Sequence, residues 1–69
     1  MKREYVSSSN IASIGYDSET LTLEVEFISG GVYQYYDVPE REYEGLKGAP
    51  SHGKYLNSNI KGSYSYAKV

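Results

Sequence analysis

The feature that most limits how this chain can fold is a strict alternation of apolar and polar residues from Leu21 to Phe27. The apolar positions are Leu21, Leu23, Val25 and Phe27, and the polar positions between them are Thr22, Glu24 and Glu26. Successive side chains of a strand point to opposite faces, so this pattern predicts a half-buried strand with Glu24 and Glu26 facing solvent. Gly30 and Gly31 then allow a tight turn, and residues 32–38 resume with β-favouring side chains. We therefore predict a β-hairpin over residues 21–38.

Weaker patterns on either side of the hairpin complete a small α+β domain. Residues 11–16 end at the turn signal Asp17-Ser18 and predict a first strand, which gives a three-stranded meander. Pro39 followed by acidic residues predicts a helix that ends near Gly48, and Ser51 predicts a second short helix that runs to about Lys61. Residues 63–69 return as a C-terminal strand. The expected fold is one domain over residues 1–69, a small antiparallel β-sheet with one or two short helices packed on it.

The length of 69 residues limits the size of the core. A short chain buries a smaller share of its surface than a long one, so assembly into a homo-oligomer would add useful stability. The chain has no cysteine, which excludes a disulfide framework and a thiolate metal site. It shows neither a secretory leader nor an apolar run long enough to span a bilayer, so we expect a cytoplasmic protein of a bacterial cell with no membrane contact.

Tyrosine is strongly over-represented, with nine residues against one phenylalanine and no tryptophan. A tyrosine side chain combines a flat apolar face with a hydroxyl group that needs a hydrogen-bond partner, which suits a half-wet binding surface. Tyr33 and Tyr35 share one face of the second hairpin strand, and Tyr36 lies on the other. Both faces cannot be buried in one small core, so we expect one aromatic face to be exposed. Cross-strand packing within the sheet is the alternative role for these rings.

The net charge of −2 hides an uneven distribution along the chain. Residues 1–44 hold all nine acidic residues and three basic ones, a net charge of −6, whereas residues 45–69 hold four lysines and no acid. A local basic region beside aromatic strands can hold a few phosphates, while the acidic remainder repels a long polyanion. The alternative is that the lysines form a solvated face that keeps the protein soluble.

Patterns typical of catalysis or metal binding are few. His52 is the only histidine and has no cysteine partner, so we interpret it as an exposed residue at a helix start. Ser7, Ser8 and Ser9 lie in no nucleophile-elbow motif, and the glycine patterns of the common nucleotide-binding loops are absent. We expect no enzymatic activity, no metal and no cofactor.

The segment from Ser51 to Asn57 has the residues of a small phosphate site. Ser51 can cap a helix, Gly53 allows close approach, and Lys54 adds a positive charge, with Asn57 and Lys61 further along. Stacking of a base on Tyr33 and Tyr35 would complement phosphate capture of this kind. The alternative is that Ser51 only caps the helix and Gly53 only avoids a clash.

Several segments that together span most of the chain resemble the KTSC domain family. They are Val6-x-Ser8-Ser9 with Ile11, Ile14-Gly15-Tyr16-Asp17, Leu23-Glu24-Val25-Glu26-Phe27, Val32-Tyr33-Gln34-Tyr35 before Val38-Pro39, and Ser51-x-Gly53-Lys54-Tyr55 with Asn57 and Ile60. The central Tyr-x-Tyr of that family is matched by Tyr33 and Tyr35. The family occurs as a stand-alone module in bacteria and phages and at the C-terminus of some lysyl-tRNA synthetases, a context from which RNA binding has been proposed. The resemblance implies these ligand-binding residues: Arg3, Ser8, Ser9, Tyr33, Tyr35, Ser51, Gly53, Lys54, Asn57 and Lys61.

Three functions fit these observations. The first is a non-enzymatic, phage-encoded oligomer that sequesters a small or cyclic nucleotide, such as an immune signal, by tyrosine stacking and by phosphate contacts. The second is a tRNA-related RNA-binding module, for which affinity should grow with strand length and fall with salt. The third is a protein–protein adaptor with tyrosines as interface anchors. The acidic overall charge favours the first function over the second.

Overall fold

The computed structural model describes all 69 residues and contains one five-stranded antiparallel sheet. Its strands lie in chain order and are β1 Glu4–Tyr5, β2 Ile11–Asp17, β3 Thr22–Phe27, β4 Val32–Tyr35 and β5 Tyr66–Lys68. Helix α1 spans Glu40–Gly48, helix α2 spans His52–Tyr55, and a π-helical segment over Leu56–Ile60 continues α2. The predicted α+β fold is confirmed. The sequence pattern does not predict β1, because two residues are too few to show a period of two.

The predicted hairpin is formed by β3 and β4, in which Leu23 pairs with Tyr35 and Val25 pairs with Tyr33. The Gly30 N–H donates to the Phe27 carbonyl at 2.9 Å, and Gly30 has a φ of 111°, where residues with side chains are strained. The alternation assigns the wrong environment to its first position. Leu21 lies in the turn before β3 with a φ of 53° and is exposed, so it does not belong to the buried face.

The core lies between one face of the sheet and the helices. Every second residue of β3 points into it, whereas in β2 the buried Ile11 and Ile14 are three residues apart, because the pairing register shifts between Ile11 and Ser13. The helical side is supplied by Leu46, Leu56 and Ile60, all fully buried. The core residues are Ile11, Ile14, Leu23, Val25, Phe27, Tyr35, Val38, Leu46, Leu56 and Ile60. Burial of apolar area is the main favourable term in folding, so this face determines on which side the helices pack.

The helices begin where the sequence predicts. Pro39 precedes α1, and Tyr43 of α1 stacks on Tyr16 of β2 with ring centroids 5.0 Å apart. The Ser51 hydroxyl accepts a hydrogen bond from the Lys54 N–H at 3.3 Å, which confirms Ser51 as a cap. After α2 the backbone widens to the i→i+5 spacing, and the Lys61 N–H donates to the Leu56 carbonyl at 2.8 Å.

The opposite face of the sheet carries a polar network centred on Glu24. Arg3 forms an ion pair with Glu24 and donates from Nε to the Ser13 hydroxyl at 3.0 Å, while Gln34 Nε2 donates to Glu24 Oε1 at 2.9 Å. The prediction that Glu24 faces solvent is therefore wrong, since this residue is buried. The N-terminal arm can cover it because Gly15 has no side chain: a Cβ at that position would lie 2.6 Å from the Lys2 carbonyl oxygen.

Acid should weaken this network. The hydrogen bond from Gln34, followed by the contact with Arg3, lowers the pKa of Glu24, although burial acts in the opposite direction. A carboxyl group of this kind stabilises the fold above its unfolded-state pKa of about 4.3, and the contribution is lost as pH falls through the folded-state value. We expect the free energy of unfolding, measured by urea denaturation, to fall below about pH 4 and to fall less steeply in Glu24→Gln. Glu44→Gln removes an exposed carboxylate and should keep the wild-type profile; equal slopes in all three proteins would contradict the assignment.

Gly45 of α1 is required by the packing of Tyr55. The Tyr55 hydroxyl donates to Glu42 Oε1 at 2.6 Å, and a Cβ on Gly45 would lie 2.7 Å from Tyr55 Cζ. Gly48 is the matched site in the same helix, because a Cβ there would meet nothing within 4 Å.

We expect Gly45→Ala to lower the free energy of unfolding by about 1–3 kcal/mol, because the new methyl group displaces Tyr55. Gly48→Ala should be neutral or stabilising by up to about 1 kcal/mol, because alanine is the better helix former. Urea denaturation followed by circular dichroism measures both. If the two variants were equally stable, the Tyr55 contact would not be restrictive.

Candidate ligand-binding cleft

An open cleft of about 620 Å³ lies beside the helical layer, where β4 and β5 meet the end of the π-helical segment. We call it the aromatic cleft, because Phe27, Tyr33, Tyr35 and Tyr66 line it. Its other lining residues are Asn10, Ser29, Lys61 and Gly62. The volume is within the range of roughly 300–1,000 Å³ that is usual for small-molecule sites.

Tyr35 has a rigid ring and a hydroxyl group without a partner. The residue is only 2% exposed and belongs to the hydrophobic core, where burial raises the pKa of its phenol. Its hydroxyl makes no hydrogen bond within the chain, yet no fully buried side-chain oxygen or nitrogen in the protein lacks a partner. The hydroxyl oxygen therefore retains access to solvent, and since Tyr35 lines the aromatic cleft, this group is available to a ligand there. The expectation of an exposed aromatic face does not hold for Tyr35.

Tyr33 and Tyr66 provide the accessible ring surfaces. Their centroids are 6.0 Å apart with planes inclined by 50°, so the two rings diverge instead of stacking. The Tyr66 ring also lies beside that of Tyr35, with centroids 5.6 Å apart. Tyr66 itself is 61% exposed. The Tyr33 and Phe27 rings form a T-shaped contact, with their centroids 5.6 Å apart. An exposed ring beside a supported one can accept a flat ligand on its face.

Contacts on both sides of β5 hold Tyr66 in place. The Tyr36 N–H donates to the Ser65 carbonyl at 2.8 Å, and the Val69 N–H donates to the Val32 carbonyl at 2.9 Å. The Tyr64 hydroxyl donates to Glu42 Oε2 at 3.2 Å, so Glu42 accepts from both Tyr55 and Tyr64. Burial, and then the Glu42 charge, raise the pKa of Tyr64. The position of Tyr66 thus depends on helix α1.

The only charged residue that lines the aromatic cleft is a lysine. Lys61 Nζ lies 5.4 Å from the centre of the Phe27 ring and forms no ion pair, and no carboxylate lines the cleft. Lys68 pairs with Tyr33 across β4 and β5, which places it on the same face of the sheet. An anionic group bound near Lys61 would meet a cation that is not already neutralised.

A second, polar cleft of about 360 Å³ brings together four residues that the family resemblance implies, Ser8, Ser9, Ser51 and Gly53. The Ser8 hydroxyl is engaged locally, since it accepts hydrogen bonds from the N–H groups of Asn10 and Ile11, each at 3.2 Å. A Cβ on Gly53 would lie 3.6 Å from Asn10 Cβ, an ordinary contact, so Gly53 is not required to avoid a clash. This serine cleft adjoins the aromatic cleft through Asn10.

The remaining implied residues lie elsewhere. Arg3 lies on the opposite face of the sheet in the Glu24 network, and Lys54 and Asn57 line neither cleft. Tyr33, Tyr35 and Lys61 are the three that meet in the aromatic cleft.

Five lining residues are not identified by sequence reasoning, namely Asn10, Phe27, Ser29, Gly62 and Tyr66. For Tyr66 a signal exists, because the chain ends in a second tyrosine cluster. Asn10 gives no such signal, since it reaches the cleft only through the pairing of β2 with β3.

His52 is not the exposed residue that the sequence predicts. It is half-buried, and its Nδ1 lies 2.8 Å from the Leu46 carbonyl, an acceptor, so Nδ1 is the protonated nitrogen. No three His, Cys, Asp or Glu side chains are grouped closely enough to hold a metal ion. None of the helices is long and apolar enough to cross a membrane.

Comparison with known proteins gives consistent matches. The KTSC domain model matches residues 7–64. The crystal structure of a KTSC domain protein from Yersinia pestis is 43% identical, superposes with a TM-score of 0.96, and the match covers 99% of this chain and 96% of that one. An uncharacterised protein of Stutzerimonas stutzeri is 41% identical over 100% of this chain and 99% of its own length.

A longer relative is the lysine–tRNA ligase of Nostoc punctiforme, which is 41% identical over 59 residues. The match covers 86% of this chain but only 10% of the ligase. The chain thus spans about a tenth of the length of that relative.

Substitutions at Tyr35 should separate its ring from its hydroxyl. We expect Tyr35→Ala to lower the free energy of unfolding by about 3 kcal/mol or more, because it leaves a cavity in the core. Tyr35→Phe keeps the ring and removes a group without a partner, so stability should change by no more than about 0.5 kcal/mol. Urea denaturation measures both, and a large loss in Tyr35→Phe would mean that the hydroxyl has a partner within the fold.

Proposed function

This chain belongs to the KTSC domain family, and we propose that it is a non-enzymatic module that binds a small or cyclic nucleotide in the aromatic cleft. One observation carries the proposal: a rigid tyrosine hydroxyl without a partner, two accessible tyrosine rings and an unpaired lysine meet in a cleft that no carboxylate lines.

The base would stack on Tyr66 or Tyr33. Stacking on an aromatic side chain is tolerant of base identity and contributes about 1–3 kcal/mol per base. The two rings diverge by 50°, which leaves the face of Tyr66 accessible, and Tyr35 closes the cleft beneath them. The Tyr35 hydroxyl would then find the hydrogen-bond partner that it lacks within the chain.

The phosphate would bind to Lys61. The ammonium group lies at the side of the cleft over Phe27, where it has no competing carboxylate. Salt screens the repulsion between a bound phosphate and the acidic residues elsewhere on the surface, so the nearby charge of Lys61 has the larger effect. A ligand with one or two phosphates fits this arrangement better than a long strand that must cross the whole acidic molecule.

The cleft residues support binding more than catalysis. None of them is a histidine, an aspartate or a glutamate, so a general base at ordinary pKa is not present among them. The Tyr35 phenol does not act as a base near neutral pH either, because the pKa of a tyrosine is ordinarily about 10 and burial raises it further.

Self-association is part of the proposal. Strand β5 pairs only with β4, so its other edge is free to pair with a second copy beside Tyr66. An unpaired edge is a template for strand addition, and a small domain gains stability from it. Light scattering of the purified protein tests this step.

RNA binding is the second candidate, and the relatives favour it, since several are lysine–tRNA ligases. Splayed bases stacked on tyrosines are the usual mode of single-stranded RNA recognition. It differs from the first candidate in that affinity should rise with strand length and fall steeply with salt.

Isothermal titration against mono-, di- and cyclic nucleotides and short RNA oligomers tests the proposal. We expect saturable binding of a small nucleotide that Tyr66→Ala weakens roughly tenfold or more through lost stacking. Lys61→Gln should weaken binding and reduce its salt dependence, because one phosphate contact is lost. Tyr35→Phe should weaken binding several-fold while stability stays unchanged.

Matched controls are available at two positions that line neither cleft. Lys2→Gln makes the same charge change as Lys61→Gln at an exposed position, and Tyr43→Phe removes a hydroxyl away from the cleft, so both should bind like wild type. Binding of RNA alone would replace the first candidate with the second. If neither the nucleotides nor the RNA oligomers bind, both candidate functions are wrong and the adaptor function is left.

A further inference from the structure

We infer that the Asn10 amide hydrogen-bonds the edge of the base bound in the aromatic cleft, so that this side chain sets the affinity for adenine relative to guanine. The inference rests on the proposed function. It assigns a role to a residue that lines the cleft but lies outside the set implied by the family resemblance.

The backbone of Asn10 is held on both sides. Its N–H donates to the Ser8 hydroxyl at 3.2 Å, and its carbonyl accepts from the Ile28 N–H at 2.9 Å. Ser8 thereby acquires a role at the cleft without touching it, because it fixes the turn that presents Asn10. A side chain on a fixed backbone loses less conformational entropy when it binds a ligand.

The side chain of Asn10 lies near α2 and has no hydrogen-bond partner. A Cβ on Gly53 would lie 3.6 Å from Asn10 Cβ and 3.8 Å from Asn10 Nδ2, so there is room for a methyl group between Gly53 and the amide. The amide makes no hydrogen bond within the chain, although it can make several. It is therefore available to a ligand in the aromatic cleft.

Among the cleft residues only Asn10 carries a donor and an acceptor in one rigid plane. Ser29 and Tyr35 each offer one hydroxyl, and Lys61 only donates. Adenine presents a donor amine beside a ring-nitrogen acceptor on both of its hydrogen-bonding edges, and an asparagine amide pairs with such an edge through two bonds. Guanine presents two acceptors on its N7 edge, where an asparagine amide makes only one good bond, but its O6 acceptor lies beside the N1–H donor, and the amide pairs with these two groups through two bonds. An asparagine can therefore bond the edge of either purine base.

Replacing Asn10 with aspartate changes this pattern with little change in shape. A carboxylate only accepts, so it loses the bond to a ring nitrogen of adenine and suits the adjacent N1–H and N2–H donors of guanine. Asn10→Asp also adds a negative charge, which weakens every phosphate ligand. The ratio of adenine to guanine affinity cancels that effect, because both nucleotides carry the same phosphate charge.

The experiment is isothermal titration of wild type and Asn10→Asp with adenosine and guanosine 5′-monophosphates and with the two 3′,5′-cyclic monophosphates. We expect Asn10→Asp to shift the ratio of adenine to guanine affinity toward guanine by roughly tenfold or more relative to wild type, because aspartate loses a bond to adenine and suits two donors of guanine. Asn59→Asp makes the same change at an exposed asparagine that lines neither cleft, and it should keep the wild-type ratio. Unfolding curves should show that all three proteins fold, since Asn10 is exposed and its backbone bonds are unaffected.

Two outcomes overturn the inference and are distinguishable from each other. If nucleotides bind but the ratio is the same in Asn10→Asp as in wild type, Asn10 does not contact the base edge and the nucleotide function stands. If none of the four nucleotides binds to wild type, the inference falls together with the proposed binding of these ligands.

Discussion

Burial of one apolar face of a sheet beneath a short helical layer is the interaction on which the rest of this structure depends. Leu46, Leu56 and Ile60 cover β2 and β3, and each fully buried aliphatic side chain contributes about 1.5–3 kcal/mol. The layer covers Tyr35 of β4 but leaves Tyr33 half-buried and all of β5 exposed. The aromatic cleft lies on this uncovered part of the sheet, so the limited size of the core and the presence of the cleft have the same physical origin.

Tyrosine suits this arrangement because its ring packs against apolar groups while its hydroxyl makes a hydrogen bond or faces solvent. Tyr16 and Tyr43 stack between the sheet and α1, and Tyr55 and Tyr64 share the carboxylate of Glu42. A phenylalanine would fill the same space without joining these elements, and a smaller polar residue would bond without filling it. At Tyr35 the same combination of buried ring and free hydroxyl produces a fixed polar group inside the cleft.

The two faces of the sheet carry different charged groups. On the outer face Arg3 compensates Glu24 and extends to within 4.0 Å of Glu26, so the carboxylates of β3 are engaged there. On the helical face the cleft contains no carboxylate and keeps Lys61 unpaired. An acidic protein can therefore present a local anion site, and net charge alone is a poor guide to the ligand.

The sequence by itself determined the strand–turn–strand centre, the helix starts at Pro39 and Ser51, and the α+β class, because each depends on periodicity or on turn chemistry between near neighbours. It also indicated Tyr33, Tyr35 and Lys61 as candidate site residues. Only the tertiary structure decided that Tyr35 is buried, that Glu24 is covered by Arg3, and that Asn10 and Tyr66 line the same cleft. The reason is that alternation assigns a side chain to a face, whereas burial depends on which distant segment covers that face, and local patterns do not contain that information.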